Sequence, residues 1–88
     1  MRNRIWLVTY LLKENGEIKG KKTAVECMTA GDAYKHAVRF VMRKHGPKSS
    51  MFVTDIGQAD EGCRELIGKE SDLQDWMWDA SDWPEEIG

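Results

Sequence analysis

The stretch TAGDAYKHAVRFVMRKHG, residues 29–46, is the one segment whose start, period and stop agree, and its reading decides the fold. Thr29 followed three residues later by Asp32 is a helix-start pattern, because a side-chain oxygen at the cap takes up an orphan amide of the first turn. Gly46-Pro47 supplies the stop, since glycine accepts the left-handed turn and proline cannot continue the helix. Wound at the helical period, Ala33, Tyr34, Ala37, Val38, Phe40, Val41 and Met42 share an arc of roughly 200°, wider than the stripe of an ordinary surface helix. The spacing predicts a long helix that forms part of the core. The remaining arc carries Lys35, His36, Arg39 and Arg43, of which Lys35, Arg39 and Arg43 make one i, i+4, i+8 row facing solvent.

Upstream, residues 4–12 (RIWLVTYLL) are rich in β-branched and aromatic side chains without a helical period and read as a strand. Asn15-Gly16 follows, and both residues tolerate positive φ, which makes this pair a strong hairpin signal before a second strand at about residues 18–28. A two-residue turn centred there pairs Trp6 with Val25, Val8 with Thr23 and Tyr10 with Lys21 on one face. On the other face it pairs Ile5 with Glu26, Leu7 with Ala24 and Thr9 with Lys22. The first strand is apolar on both sides, so it is expected at the centre of a sheet covered on both faces. Downstream, residues 51–56 (MFVTDI) predict a third strand beside the first and antiparallel to it, and residues 63–67 (CRELI) a short fourth, giving the spatial order 2-1-3-4.

Ser71 with Gln74 forms a second capping box, so a short acidic helix is expected from residue 71, with Leu73, Trp76, Met77 and Ala80 on its apolar side. It is expected to break before Trp83-Pro84. The fold class is therefore α+β: a three- or four-stranded antiparallel sheet (β-β-α-β, with or without a further strand) packed on one long helix. Residues 1–70 read as a single domain, and residues 71–88 as an acidic, tryptophan-rich helix and tail packed on that domain.

Eighty-eight residues suffice for one small core, with roughly 60–65% of the unfolded surface buried. No apolar run is long enough for a membrane span and no signal-peptide pattern is present, so the expected location is cytoplasmic. Cys27 and Cys63 are too few for a disulfide framework and form no CxxC pair, and they read as reduced thiols. The formal net charge of -2 hides a division of the chain. Residues 1–48 hold eleven Lys/Arg and four Asp/Glu, for +7, whereas residues 49–88 hold two and eleven, for -9. Such asymmetry marks interaction surfaces, or else an acidic half that lies across the basic one.

The acidic half interleaves carboxylates with large rings. Asp72, Asp75, Trp78, Asp79, Asp82, Trp83, Glu85 and Glu86 are the candidate partner-binding residues, because tryptophan supplies contact area and its acidic neighbours steer it to a basic surface. Trp76 reads as core. Carboxylates beside aromatics can also imitate the phosphates and base faces of a nucleic acid. In size and charge this build resembles small phage-borne inhibitors, anti-CRISPR-like proteins among them, that occlude nucleic-acid sites. The expected function is thus a non-catalytic protein-binding module or inhibitor whose partner is a protein with a basic surface. The alternative is a nucleic-acid binder using Lys35, Arg39, Arg43 and Lys44, which predicts steep salt dependence. Head-to-tail homo-oligomerisation is a third reading.

Cys27, Cys63, His36 and His45 lack the short paired spacings of a zinc site, and no EF-hand order is present. No GxSxG, phosphate loop or HExxH occurs. No metal, cofactor or catalytic activity is expected.

Overall fold

The computed structural model describes residues 3–74. Their order is β1 (Arg4–Glu14), β2 (Glu17–Cys27), α1 (Ala30–His45), β3 (Ser50–Ala59), a 3-10 helix (Glu61–Leu66) and β4 (Ser71–Asp72). Asn15 and Gly16 both adopt positive φ, 54° and 79°, and this turn sets the hairpin register. Trp6 pairs with Val25, Val8 with Thr23 and Tyr10 with Lys21, as expected from sequence. β3 runs antiparallel to β1 on its other side. The sheet order is β3-β1-β2-β4, with β1 central.

α1 covers the face carrying Trp6, Val8, Tyr10 and Leu12, and Ala33, Ala37 and Val41 are its fully buried residues. The Thr29 hydroxyl accepts from the Asp32 amide at 3.1 Å, and the Gly46 amide donates to the Met42 carbonyl at 2.8 Å, so both ends are capped. Tyr34, placed on the apolar arc by periodicity, is 49% exposed. The contact stripe centres on the small residues at positions 33, 37 and 41, which bring the helix close to the sheet and leave Tyr34 on its flank.

A β-bulge in β3 completes this face. Thr9 pairs with Asp55 but Tyr10 with Val53, leaving Thr54 as the extra residue, its hydroxyl donating to the Thr9 carbonyl at 3.1 Å. Strand alternation alone would put Ile56 on the opposite side from Met51 and Val53. The bulge switches the parity, and all three pack against the helix-side core. On the other face Ile5 and Leu11 are 5% and 1% exposed, as a strand central to the sheet requires.

The end of the described chain corrects the sequence reading. Residues 61–66 form a 3-10 helix, not a fourth strand, started by the Asp60 carboxylate accepting from the Gly62 amide at 3.0 Å. The fourth strand is Ser71–Asp72, and it pairs with β2 through Lys22 and Lys21. The observed position is therefore beside β2, where the expected order had put it beside the third strand. Ser71 is a strand residue, not a helix cap, because its backbone satisfies the β2 edge. Leu73 and Gln74, expected in the same helix, are not helical either, and the remainder of the expected C-terminal helix lies outside the described residues.

Candidate functional site

The sequence-predicted residues divide three ways. Asp75, Trp78, Asp79, Asp82, Trp83, Glu85 and Glu86 lie outside the described residues. Asp72 is described and already has a partner: Lys21 Nζ donates to its carboxylate at 2.6 Å, and this pairing holds its carboxyl below the ordinary aspartate value. On the basic side, Lys35, Arg39 and Arg43 are exposed along one row of α1. Among the described residues no carboxylate ion-pairs with any of the three. Lys44, grouped with them by sequence, instead turns to Glu70 at 3.2 Å.

Glu70 is the centre of a cluster that sequence reasoning missed. Its side chain is 3% exposed and gathers three groups from two elements. The Tyr10 hydroxyl of β1 donates to Oε2, while Lys44 Nζ and His45 Nε2 of α1 approach Oε1, the latter at 2.7 Å. The other ring nitrogen of His45 lies 3.2 Å from Glu14 at the end of β1, so the imidazole bridges two carboxylates. Both nitrogens can donate at once only in the imidazolium.

Burial alone would raise the Glu70 carboxyl. Hydrogen bonds from Tyr10, His45 and Lys44 outweigh it and hold the group below the ordinary glutamate value. Burial, followed by the Glu70 hydrogen bond and charge, pushes the Tyr10 phenol far up, so it remains a donor. The neighbouring backbone is fastened as well. The Thr23 hydroxyl reaches the Lys69 carbonyl at 2.6 Å, and the Leu73 amide donates to Gly20 at 2.8 Å. Chemically the arrangement is a clamp: the strap of residues 66–73 is tied to β1, β2 and α1 by polar contacts on both sides of Glu70.

Beside the clamp lies a cavity of about 180 Å³ lined by Leu12, Glu14, Asn15, Glu17, Lys19, Lys21 and His45. Its basic side chains each face an acid: Lys19 is 4.0 Å from Glu17, Lys21 binds Asp72, and a His45 ring nitrogen lies 3.2 Å from Glu14. The Cys27 thiol, buried and donating to the Thr29 carbonyl, is raised by desolvation and is a packing residue. Among the described residues no group of three His, Cys, Asp or Glu side chains converges to hold a metal ion, and no helix is long and apolar enough to cross a membrane.

One signal for the clamp was present in the sequence. The hairpin register put Tyr10 on one face with Trp6 and Val8 in a strand expected to be covered on both sides, and a buried tyrosine hydroxyl needs a partner. Nothing in the stretch GKES, residues 68–71, singles out Glu70 as that partner. No protein-family model, curated protein or solved structure matches this chain, so the functional reading rests on residue chemistry.

Proposed function

We propose that this chain is a small non-catalytic binding protein that uses its acidic, tryptophan-rich residues 75–88 to dock on a basic surface of a protein partner. Its sharpest form is a phage-type inhibitor that imitates nucleic acid. One observation carries the reading: three of the cations near the root of this segment already face carboxylates, although Lys22 and Lys69 have none among the described residues. Lys21 is taken by Asp72, Lys44 by Glu70 and Lys19 by Glu17. The five carboxylates of residues 75–88 therefore follow a strap whose neighbouring positive charge is partly taken up, which favours a partner that brings its own. Asp72 leaves the docking set, because recruiting it would break its bond to Lys21.

The test is a pull-down from cell lysate with wild-type protein and the variant Asp79→Asn, Asp82→Asn, Trp83→Ala. The wild type retains a partner that the variant loses. Retention of the same partner by the variant overturns the reading.

A second reading has an observation of its own. Lys35, Arg39 and Arg43 are exposed on one row without a carboxylate partner among the described residues, spaced at intervals of about 6 Å along the helix, and could follow a phosphate backbone. It requires a salt-sensitive oligonucleotide gel shift that Arg39→Glu with Arg43→Glu removes.

A further inference from the structure

A groove of about 360 Å³ runs beside α1, floored by Ala24, Val25, Phe40 and Ile67. His36 stands at its helix-side wall and Glu26 at the sheet-side wall. Arg39 lies three residues after His36 and Arg43 three after Phe40, the spacing of neighbours on a helix surface, so two cations with no carboxylate partner among the described residues adjoin the helical side of the groove. The opposing carboxylate has a partner: Glu26 pairs with Arg64 at 3.2 Å, and Arg64 is shared with Glu61 at 2.8 Å. An apolar floor with a cationic rim fits a peptide that carries bulky apolar anchors between acidic residues, since rim charge steers and the pocketed ring supplies affinity. A nucleic acid would use the cations and leave the floor empty.

We propose that this groove receives the acidic, tryptophan-rich residues 75–88 of a second copy of this chain. The proposal rests on the reading that this segment is a docking element, and it names the basic partner surface. Two facts favour a second copy. The segment has the required composition, three tryptophans and five carboxylates in fourteen residues. The strap also heads away from the groove, passing Ile67 opposite Ala24, then Ser71 at Lys22, then Leu73 at Gly20. A groove on one copy and a docking segment on the next form a head-to-tail contact, which grows beyond a dimer unless the rotation closes.

Sedimentation of the full chain at low and high salt tests this with two variants. The groove variant is Arg39→Glu with Arg43→Glu; both positions are exposed, so folding is preserved. The segment variant is Asp79→Asn with Asp82→Asn and Trp83→Ala. The wild type sediments above monomer mass at low salt and returns to monomer at high salt. Each variant alone is a monomer, and their equimolar mixture gives a heterodimer and nothing larger, because only one groove and one segment remain active. A monomeric wild type at both salts, persistent association of the groove variant, or a mixture that stays monomeric overturns the proposal. If the wild type is monomeric yet still captures a partner through residues 75–88, self-docking falls and the proposed function stands. An oligonucleotide shift lost in the groove variant, without self-association, overturns it in favour of nucleic acid.

Discussion

Glu70 and Asp72 sit two residues apart on the same strap, and they carry the same formal charge into different work. The Glu70 side chain is 3% exposed and is met by Tyr10, Lys44 and His45; that of Asp72 is 75% exposed and is met by Lys21. One lies within the fold and the other on it. A carboxylate tally made from sequence counts both as acidic surface, whereas Glu70 contributes almost nothing to what a partner would meet. The difference separates a charge enclosed by the fold from a charge paired at its surface.

Removing the inner carboxylate should have the largest effect. Glu70→Ala leaves the Tyr10 hydroxyl buried without an acceptor and strips a charge partner from Lys44 and a hydrogen-bond partner from His45, and losing one side of such a buried group costs about 3 kcal/mol. For a domain of this size that is a fall in Tm of roughly 12 °C or more, measurable by thermal or urea unfolding. Tyr10→Phe should cost less, about 1–2 kcal/mol, because Glu70 keeps its contacts with Lys44 and His45. A Glu70→Ala protein as stable as wild type would mean that the clamp does not hold the strap.

The same comparison can be drawn with acid. The Glu70 carboxyl is held below its usual value of 4.5, so it binds a proton less readily folded than unfolded. Its stabilisation is therefore complete above the unfolded value and is lost as pH falls through the folded one. Urea midpoints taken downward from neutral pH should fall more steeply in wild type than in Glu70→Gln, which has no charge there to lose. Parallel curves would show that other carboxylates set the acid limit.

Legibility divides along the same line. The hairpin register, the helix caps and the central place of β1 could all be read, because each rests on local chemistry: Asn15-Gly16 at the turn, Thr29 and Gly46 at the helix ends, and a two-faced apolar strand. Residues 63–67 misled because CRELI has a strand-like composition, while the deciding group is Asp60, whose side chain begins a 3-10 turn at Gly62. Ser71 misled in the opposite sense, since a capping box is only an offer of hydrogen bonds and the β2 edge made a better one. The clamp was the least legible. Tyr10, Glu14, His45 and Glu70 meet across as many as 60 positions of separation, which no local pattern encodes. The bulge at Thr54 was hidden for a related reason: only the demand that Met51, Val53 and Ile56 face one helix reveals the extra residue.

The smallest effect belongs to Asp72. Lys21 is the more buried partner, its side chain 16% exposed, but the carboxylate stands in water, so solvent screening cancels most of what the 2.6 Å contact gains. Asp72→Asn should cost no more than about 0.5 kcal/mol, and the cost should shrink further with added salt. The β2-β4 backbone pairing and the Leu73 bond to Gly20 survive the change, so amide exchange at Leu73 should slow or quicken little. Should Asp72→Asn instead match Glu70→Ala in cost, the strap would be held along its outer edge as firmly as at its centre. Asp72 would then belong with Glu70 among the charges that build the fold.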